Sequence, residues 1–325
     1  MCYPVNHTGT NPPNNPKAKA VAIIPARYDS VRLPGKALLE IAGKPMICWV
    51  AERVSTARNV SRVIVATDDK RILDAVTSAG HEAVMTSAHH ASGTDRIAEV
   101  ASSLEDADII VNVQGDELLL SPLTIEQAVE AMEERKNRDR GKGEGSDRGK
   151  GEGGKGNEER TPDEEIGWEI GEIGIVTTWE PIESAADVLN PDVVKVVIDD
   201  SGRAIYFSRS PVPYPRDAAL KHHGLKAALE NEPTLLNSFR KHTGLYVYRR
   251  EILLAFAQWP QSELEQMESL EQLRALEHGV KIKAIKASTS SIGVDTIEDL
   301  ERVRKIMEEK SFGFRVSGSE FARTS

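Results

Sequence analysis

Residues Ile109–Glu117 read IIVNVQGDE, and their reading decides the fold. Ile109 to Val113 are mostly apolar and β-branched, the mark of a strand buried on both faces. Such strands belong to parallel sheets with helices on either side. Gln114-Gly115-Asp116-Glu117 follow at once. Open α/β sheets bind ligands beyond the carboxyl ends of their strands. Asp116 therefore stands where a magnesium ion carrying a nucleoside triphosphate would be held. The other reading of Asp116 is a turn or a helix cap, a common use of acids after strands.

Upstream, Ala20–Pro25 reads as a first buried strand. The loop after it, ARYDSVRLPGK, carries Arg27, Arg32 and Lys36 among Gly and Pro. It has neither the spacing of a Walker loop nor a GxGxxG fingerprint. Its amides and three cations suit a triphosphate; a solvated basic loop fits the local pattern equally well. Pro45–Ala57 has helical periodicity. Arg62–Ala66 reads as the second strand, and Thr67-Asp68-Asp69 caps a helix over Lys70–Ala79, which makes Asp68 a cap rather than a catalyst. Glu82–Met85 is a short third strand. The order β-loop-α-β-α-β predicts a right-handed parallel α/β arrangement.

The polar loop TSAHHASGTDR, residues 86–96, contains His89 and His90. Adjacent histidines rarely face one ion, and no third ligand stands at zinc-type spacing. Ser92 and Gly93 open a helix over Thr94–Ser103. Their loop suits hydrogen bonding to a base or ribose, or serves simply as a cap.

Downstream, Pro122 starts a helix over Leu123–Glu134. Eight of the sixteen residues 141–156 are then glycine, and DRGKGEG occurs twice in tandem, at Asp139–Gly145 and Asp147–Gly153. Mixed charge without apolar residues cannot offset the entropy of ordering. About 136–165 reads as a disordered insertion whose removal is tolerated. Ile173–Trp179 is a strand. Val193–Asp199 and Ala204–Ser208 form a hairpin about Asp200-Ser201-Gly202. A long polar link leads to Ser238, followed by a strand at His242–Tyr248. One helix over Glu263–Glu277, a strand at Val280–Ile285 and a last helix over Thr296–Met307, capped by Thr296, complete the pattern.

The 325 residues bear a net charge of −10, which argues against nonspecific nucleic-acid binding. The two cysteines, Cys2 and Cys48, make no disulfide framework. No apolar run suits a membrane span, and the first twenty residues lack a signal core. A cytoplasmic protein is the expectation. Residues 1–18, rich in Asn and Pro, and 311–325 read as disordered ends. The span 19–310 reads as one domain with an antiparallel extension at about 190–250.

Taken together, AIIPARYDSVRLPGK, VIVATDD, HHASGTDR, IVNVQGDE, NPDVVKVVIDDSGRAIYFSRS, KHTGLYVYRR, ESLEQLRALEHGVKI and GVDTIEDLERV resemble the 3-deoxy-manno-octulosonate (Kdo) cytidylyltransferases. The resemblance covers roughly 20–135 and 170–310. It implies a mostly parallel nucleotide-binding sheet flanked by helices, of nucleotide-diphospho-sugar transferase type, with an antiparallel extension. It implies a homodimer that joins CTP and Kdo into CMP-Kdo and pyrophosphate for lipopolysaccharide, with Mg2+. By resemblance Asp116 and Asp295 hold the metal, and Arg27 and Lys36 contact the triphosphate. Gln114, Ser92 and Gly93 read the nucleoside. Arg209, His242, Tyr246, Glu268 and Gln272 bind the sugar. Glu268 and Gln272, four apart, fall on one face of their expected helix, and Tyr246 alternates with Leu245 and Val247 as a core residue also would. Departures from the family pattern are Asp29 and Val31 in the first loop, Leu118 in place of proline after QGDE, Trp179-Glu180-Pro181, and the insertion. A neighbouring reading is a cytidylyltransferase for another ulosonic acid, an acylneuraminate or amino-Kdo. A nicotinamide dehydrogenase on a similar sheet lacks its glycine fingerprint here. A nucleotide-binding regulator without catalysis fits poorly with four charged site residues.

Overall fold

The computed structural model describes residues 20–29, 33–140 and 172–307, with side chains from 134 to 140 left aside. The expectations for 1–18, Ser30 to Arg32, 141–165 and 311–325 lie outside the described residues. Eleven strands are described: β1 (Ala20–Ala26), β2 (Glu40–Ile41), β3 (Lys44–Pro45), β4 (Val60–Thr67), β5 (Glu82–Met85), β6 (Ile109–Asn112), β7 (Ile173–Pro181), β8 (Lys195–Ile198), β9 (Ala204–Ser208), β10 (Arg240–Arg249) and β11 (Lys281–Lys286). The helices are α1 (Met46–Val54), α2 (Lys70–Ser78), α3 (Gly93–Ser102), α4 (Pro122–Arg140), α5 (Ala185–Leu189), α6 (Arg216–Lys221), α7 (Leu225–Asn231), α8 (Arg250–Phe256), α9 (Glu263–Glu268) and α10 (Gln272–Glu277). A last helix, α11, runs over 297–307.

The main sheet runs β11-β7-β10-β6-β1-β4-β5. β6, β1, β4 and β5 are parallel, as the βαβ pattern predicts. β10 is inserted antiparallel between β6 and β7. The β8–β9 hairpin hangs from β10 through a Lys241–Lys195 pairing. The antiparallel part is thus more than an outlying extension, because β10 lies in the middle of the main sheet.

Alternation along each strand divides the core between the two faces. Ala22, Ile24, Val65, Val111 and Val247 join one cluster with α1, α2, α4 and α11. Ile23, Ile64, Ile110, Tyr246 and Tyr248 join the other with α3, α8 and α10. Ile109, Ile110, Val111 and Val113 are all buried, so the opening stretch is a doubly covered strand. Leu118, where the family pattern has proline, is buried in the first cluster.

Four expectations are corrected. The link before β10 folds into α6, α7 and a 3-10 turn, Pro233–Ser238. Its Leu229, and Phe239 just beyond it, bury against Ile182 and Val188, so the segment has its own small apolar cluster. The helix expected over Glu263–Glu277 is two helices, broken where Ser269 adopts a left-handed φ of 51°. Ser262 and Glu265 form a capping box on the first piece, and Leu270 turns into the core. The helix expected to stop at Glu134 continues as α4 to Arg140, the last residue before the glycine-rich tract, so residues 136–140 of the expected disordered insertion are helical; Glu, Arg and Lys are good helix formers. Finally, Asp69 rather than Asp68 caps α2, accepting from Arg71 N at 2.8 Å. Asp68 instead pairs at 2.6 Å with the fully buried Arg96. A buried guanidinium needs a partner far more than a helix end needs a second cap.

Candidate active site

At the carboxyl ends of β1 and β6 the chain makes two turns that only small residues permit. Gly35, at φ 68°, donates its N–H to Tyr28 O at 3.0 Å and starts a short 3-10 turn at Lys36. Gly115 packs against the end of β1, where a Cβ would meet Pro25 O at 3.0 Å and Ile47 at 3.3 Å. These close approaches bring Lys36 and Asp116 together across eighty residues of chain. Lys36 Nζ donates to Asp116 at 2.5 Å and to Asp295 at 2.8 Å. Burial works against the ammonium, but the two carboxylates outweigh it and raise its pKa.

Asp295, unlike Asp116, does not follow a strand end directly. β11 stops at Lys286, and an irregular segment intervenes. Val294 N then donates to Asp116 O at 3.2 Å, which registers Asp295 beside Asp116. Beyond it, Thr296 Oγ1 accepts from Asp299 N at 3.1 Å while Asp299 accepts from Thr296 N at 3.0 Å, a capping box as the sequence suggests. A cleft of about 210 Å³ opens here, lined by Arg27, Asp29, Lys36, Gln114 and Asp116 among others. Asp29 therefore borders the same cleft as Arg27 and Lys36.

Arg27 donates to His90 O at 2.9 Å, tying the first loop to the loop that opens α3. Ser92 is the N-cap of α3, in a reciprocal box with Asp95 at 3.0 and 2.9 Å. Gly93 packs on Pro25. His90 is paired with Glu99 rather than with His89. Gln114 Nε2 reaches Asn112 at 3.2 Å. The nucleotide-side candidates Arg27 and Lys36, Ser92 and Gly93, and Gln114 and Asp116 are thus joined through Pro25, Arg27 and the cleft.

The sugar-side candidates fall into two linked groups. Glu268 accepts from Ser208 Oγ at 2.7 Å and from Arg209 N at 2.9 Å. Arg209 Nε donates to Glu268 O at 2.6 Å, and its other nitrogens reach Pro191 O and Ser269 O. Lys195, fully buried, donates to three carbonyls, Asn190 O, Val193 O and Arg209 O. On β10, His242 lies between Phe207 and Tyr246, with ring centroids at 4.9 and 5.3 Å. Thr177 Oγ1 donates to Leu245 O at 2.8 Å and lies 2.9 Å from His242 Nε2. Its single proton is spent on the carbonyl, so His242 must donate Nε2–H, which leaves Nδ1 as an acceptor. Burial holds this imidazole down to about 3, hence neutral. Tyr246 is buried and its phenol pushed well up by burial. Gln272 is buried, with Nε2 meeting no protein partner. Glu268 and Gln272 do not share a helix face: Ser269 separates α9 from α10.

Glu117 is a site residue to which the motif reading assigned no role. Its Oε2 is enclosed without a partner, while the carboxyl accepts from Gly244 N–H. Burial, with Asp116 beside it, pushes this carboxyl up to about 8. The signal was an acid followed by the apolar run Leu118 to Leu120, which has to turn inward. Thr177 was also missed, as one of two adjacent threonines within an otherwise apolar run of β7.

The cytidylyltransferase family profile matches residues 21–282. A 3-deoxy-manno-octulosonate cytidylyltransferase of Trichlorobacter lovleyi is 46% identical over 89% of this chain and 98% of its own. That of Geobacter sulfurreducens is 46% identical over 87% and 96%. A solved CMP:2-keto-3-deoxy-manno-octonic acid synthetase in complex with CTP is 39% identical, with a TM-score of 0.70, covering 90% of this chain and all of that one. A 4-diphosphocytidyl-2C-methyl-D-erythritol synthase of Anaerococcus prevotii, 12% identical with a TM-score of 0.51, shares the fold. The cationic loop, the paired aspartates and this similarity along nearly the whole length together show that the chain belongs to the 3-deoxy-manno-octulosonate cytidylyltransferase family.

Proposed function

We propose that the chain transfers CMP from CTP to the anomeric hydroxyl of Kdo, releasing pyrophosphate. The observation that carries this reading is the convergence of Lys36, Asp116 and Asp295 beside Arg27 at the ligand-binding edge of the sheet. Phosphoryl-type transfer needs positioning and charge neutralisation rather than a covalent intermediate. Lys36 and Arg27 neutralise the triphosphate and stabilise the departing pyrophosphate. Gln114 and the α3 N-terminus with Ser92 and Gly93 orient the nucleoside.

Among the described residues no three His, Cys, Asp or Glu side chains group as a metal cage. Two carboxylates suit magnesium nonetheless, because that ion takes one or two protein carboxylates and completes its shell with phosphate oxygens and water. Asp116 and Asp295 would hold it, and when bound it supplies charge neutralisation at the phosphates. On the sugar side, His242 Nδ1 accepts a hydroxyl proton in a hydrogen bond, and Gln272 Nε2 donates. Arg209 and Tyr246 complete the pocket, with Glu268 holding Arg209 in place.

A homodimer accords with exposed apolar side chains on the antiparallel side, Ile205 at 59% and Met267 at 74%. Among the described residues no helix is long and apolar enough to cross a membrane. A cytoplasmic role feeding lipopolysaccharide accords with CTP as donor. The test is pyrophosphate release with CTP, Kdo and magnesium, against UTP and sialic acid controls. Turnover with Kdo alone is expected; a preference for sialic acid would overturn the sugar assignment.

A further inference from the structure

The nucleotide side and the sugar side are carried by neighbouring strands that run in opposite directions. β6 supplies Gln114 and Asp116 from its carboxyl end, whereas β10 supplies His242 and Tyr246 from either side of Gly244. Their register pairs Tyr246 with Asn112. Continued outward, it sets Gly244 opposite Gln114, just where β6 ends.

β10 is irregular at this point. Against β7, Thr243 pairs with Thr178 and Tyr246 pairs with Thr177, so Gly244 and Leu245 have no opposite residues. A bulge of this kind re-aims the side chains around it. Its outer carbonyl, Leu245 O, is held by Thr177. Its inner N–H, on Gly244, goes to Glu117. Gly244 is also where the two sides touch: a Cβ there would meet both Gln114 Cγ and Glu117 Oε1 at 3.0 Å.

We infer that Glu117 is a positioning residue that latches the β10 bulge to the nucleotide turn, thereby setting His242 and Tyr246 against the bound nucleotide. The inference rests on the CTP and Kdo reading above. Glu117 accepts the Gly244 N–H across the two strands and follows directly on Asp116 in the nucleotide turn. Bulges beside active sites commonly serve such re-aiming, and a misplacement of about 1 Å can cost roughly a hundredfold in group transfer.

The test separates sugar binding from nucleotide binding in the full chain. Steady-state KM for Kdo and kcat are measured beside CTP affinity by titration. Glu117→Ala is expected to raise the Kdo KM at least tenfold while CTP affinity changes less than threefold. Glu117→Gln keeps a carbonyl for the Gly244 N–H and is expected to restore most of that loss. Gly244→Ala, whose methyl group would meet Gln114 as well as Glu117, is expected to raise the Kdo KM likewise and stands in for Glu117→Ala on that readout should that variant not fold. An unchanged Kdo KM in both alanine variants overturns the latch, as does equal loss of CTP and Kdo binding in Glu117→Ala, or Glu117→Gln no better than Glu117→Ala. Wild-type chain that does not turn over CTP with Kdo would instead refute the underlying function.

Discussion

In the parallel half of the sheet, the site is made of charges that face solvent. Lys36 bridges Asp116 and Asp295, whose side chains are 27% and 56% exposed. In the antiparallel half polar groups are packed and partnered within the protein. His242 lies among Phe207, Tyr246 and Thr177, and Lys195 is sealed against three carbonyls. A triphosphate brings its own charge and needs accessible counter-charges, which retain their hydration until it arrives. A sugar acid is selected by hydroxyl geometry, which needs donors and acceptors held rigidly. The same sheet provides both, because β10 is placed antiparallel beside β6 and presents a different strand end.

This contrast breaks first on the charged side. Asp116→Asn or Asp295→Asn is expected to lower kcat by about a thousandfold or more, a loss of several kcal/mol of transition-state stabilisation. A circular-dichroism melt close to that of the wild type would accompany it, since both groups are partly exposed. Near-normal turnover in either variant would remove that acid from the site. Lys36→Met is expected to cost about a hundredfold in kcat/KM for CTP, measured at saturating Kdo.

On the packed side the effects appear in stability. Lys195→Met leaves Asn190, Val193 and Arg209 carbonyls without their shared donor, for about 3 kcal/mol in urea unfolding. A loss under about 1 kcal/mol would show that solvent takes over those carbonyls. His242 sharpens the comparison through pH. Its folded pKa lies near 3 against about 6.5 unfolded. The unfolded chain therefore binds the extra proton between those values, and stability falls as pH drops from about 6.5 toward 3, by about 1 kcal/mol per unit from this group. Replacing it by Gln should flatten that part of the curve; an unchanged slope would place the titration elsewhere. The smallest effect is expected from excising residues 141–165, since loop closure varies slowly with length. Turnover within about twofold of the full chain is the expected result, and a large loss would assign that stretch a role in catalysis.

Much of this was legible in the residues themselves. A continuous apolar run followed by Gln-Gly-Asp-Glu can be little other than a doubly covered strand ending at a ligand edge, because strand periodicity and burial are local properties. The cap at Thr296 and the turns at Gly35 and Gly202 are local in the same sense. The break at Ser269 was not legible. Glu263–Glu277 has an adequate helical pattern, and only the packing of Leu270 against the second core face requires the left-handed turn. Asp68 and Asp69 were indistinguishable in sequence, and Arg96, twenty-eight residues away, decided which became the cap.

The sequence by itself determined the parallel half of the sheet, the cationic loop and the family, since these rest on short-range pattern and motif. Tertiary structure alone decided that β10 enters between β6 and β7, that Lys36 spans both aspartates, and that Glu117 is engaged by Gly244. The physical reason is separation along the chain. Each of these contacts joins residues dozens to hundreds of positions apart, and its energy depends on burial that exists only once the sheet has assembled.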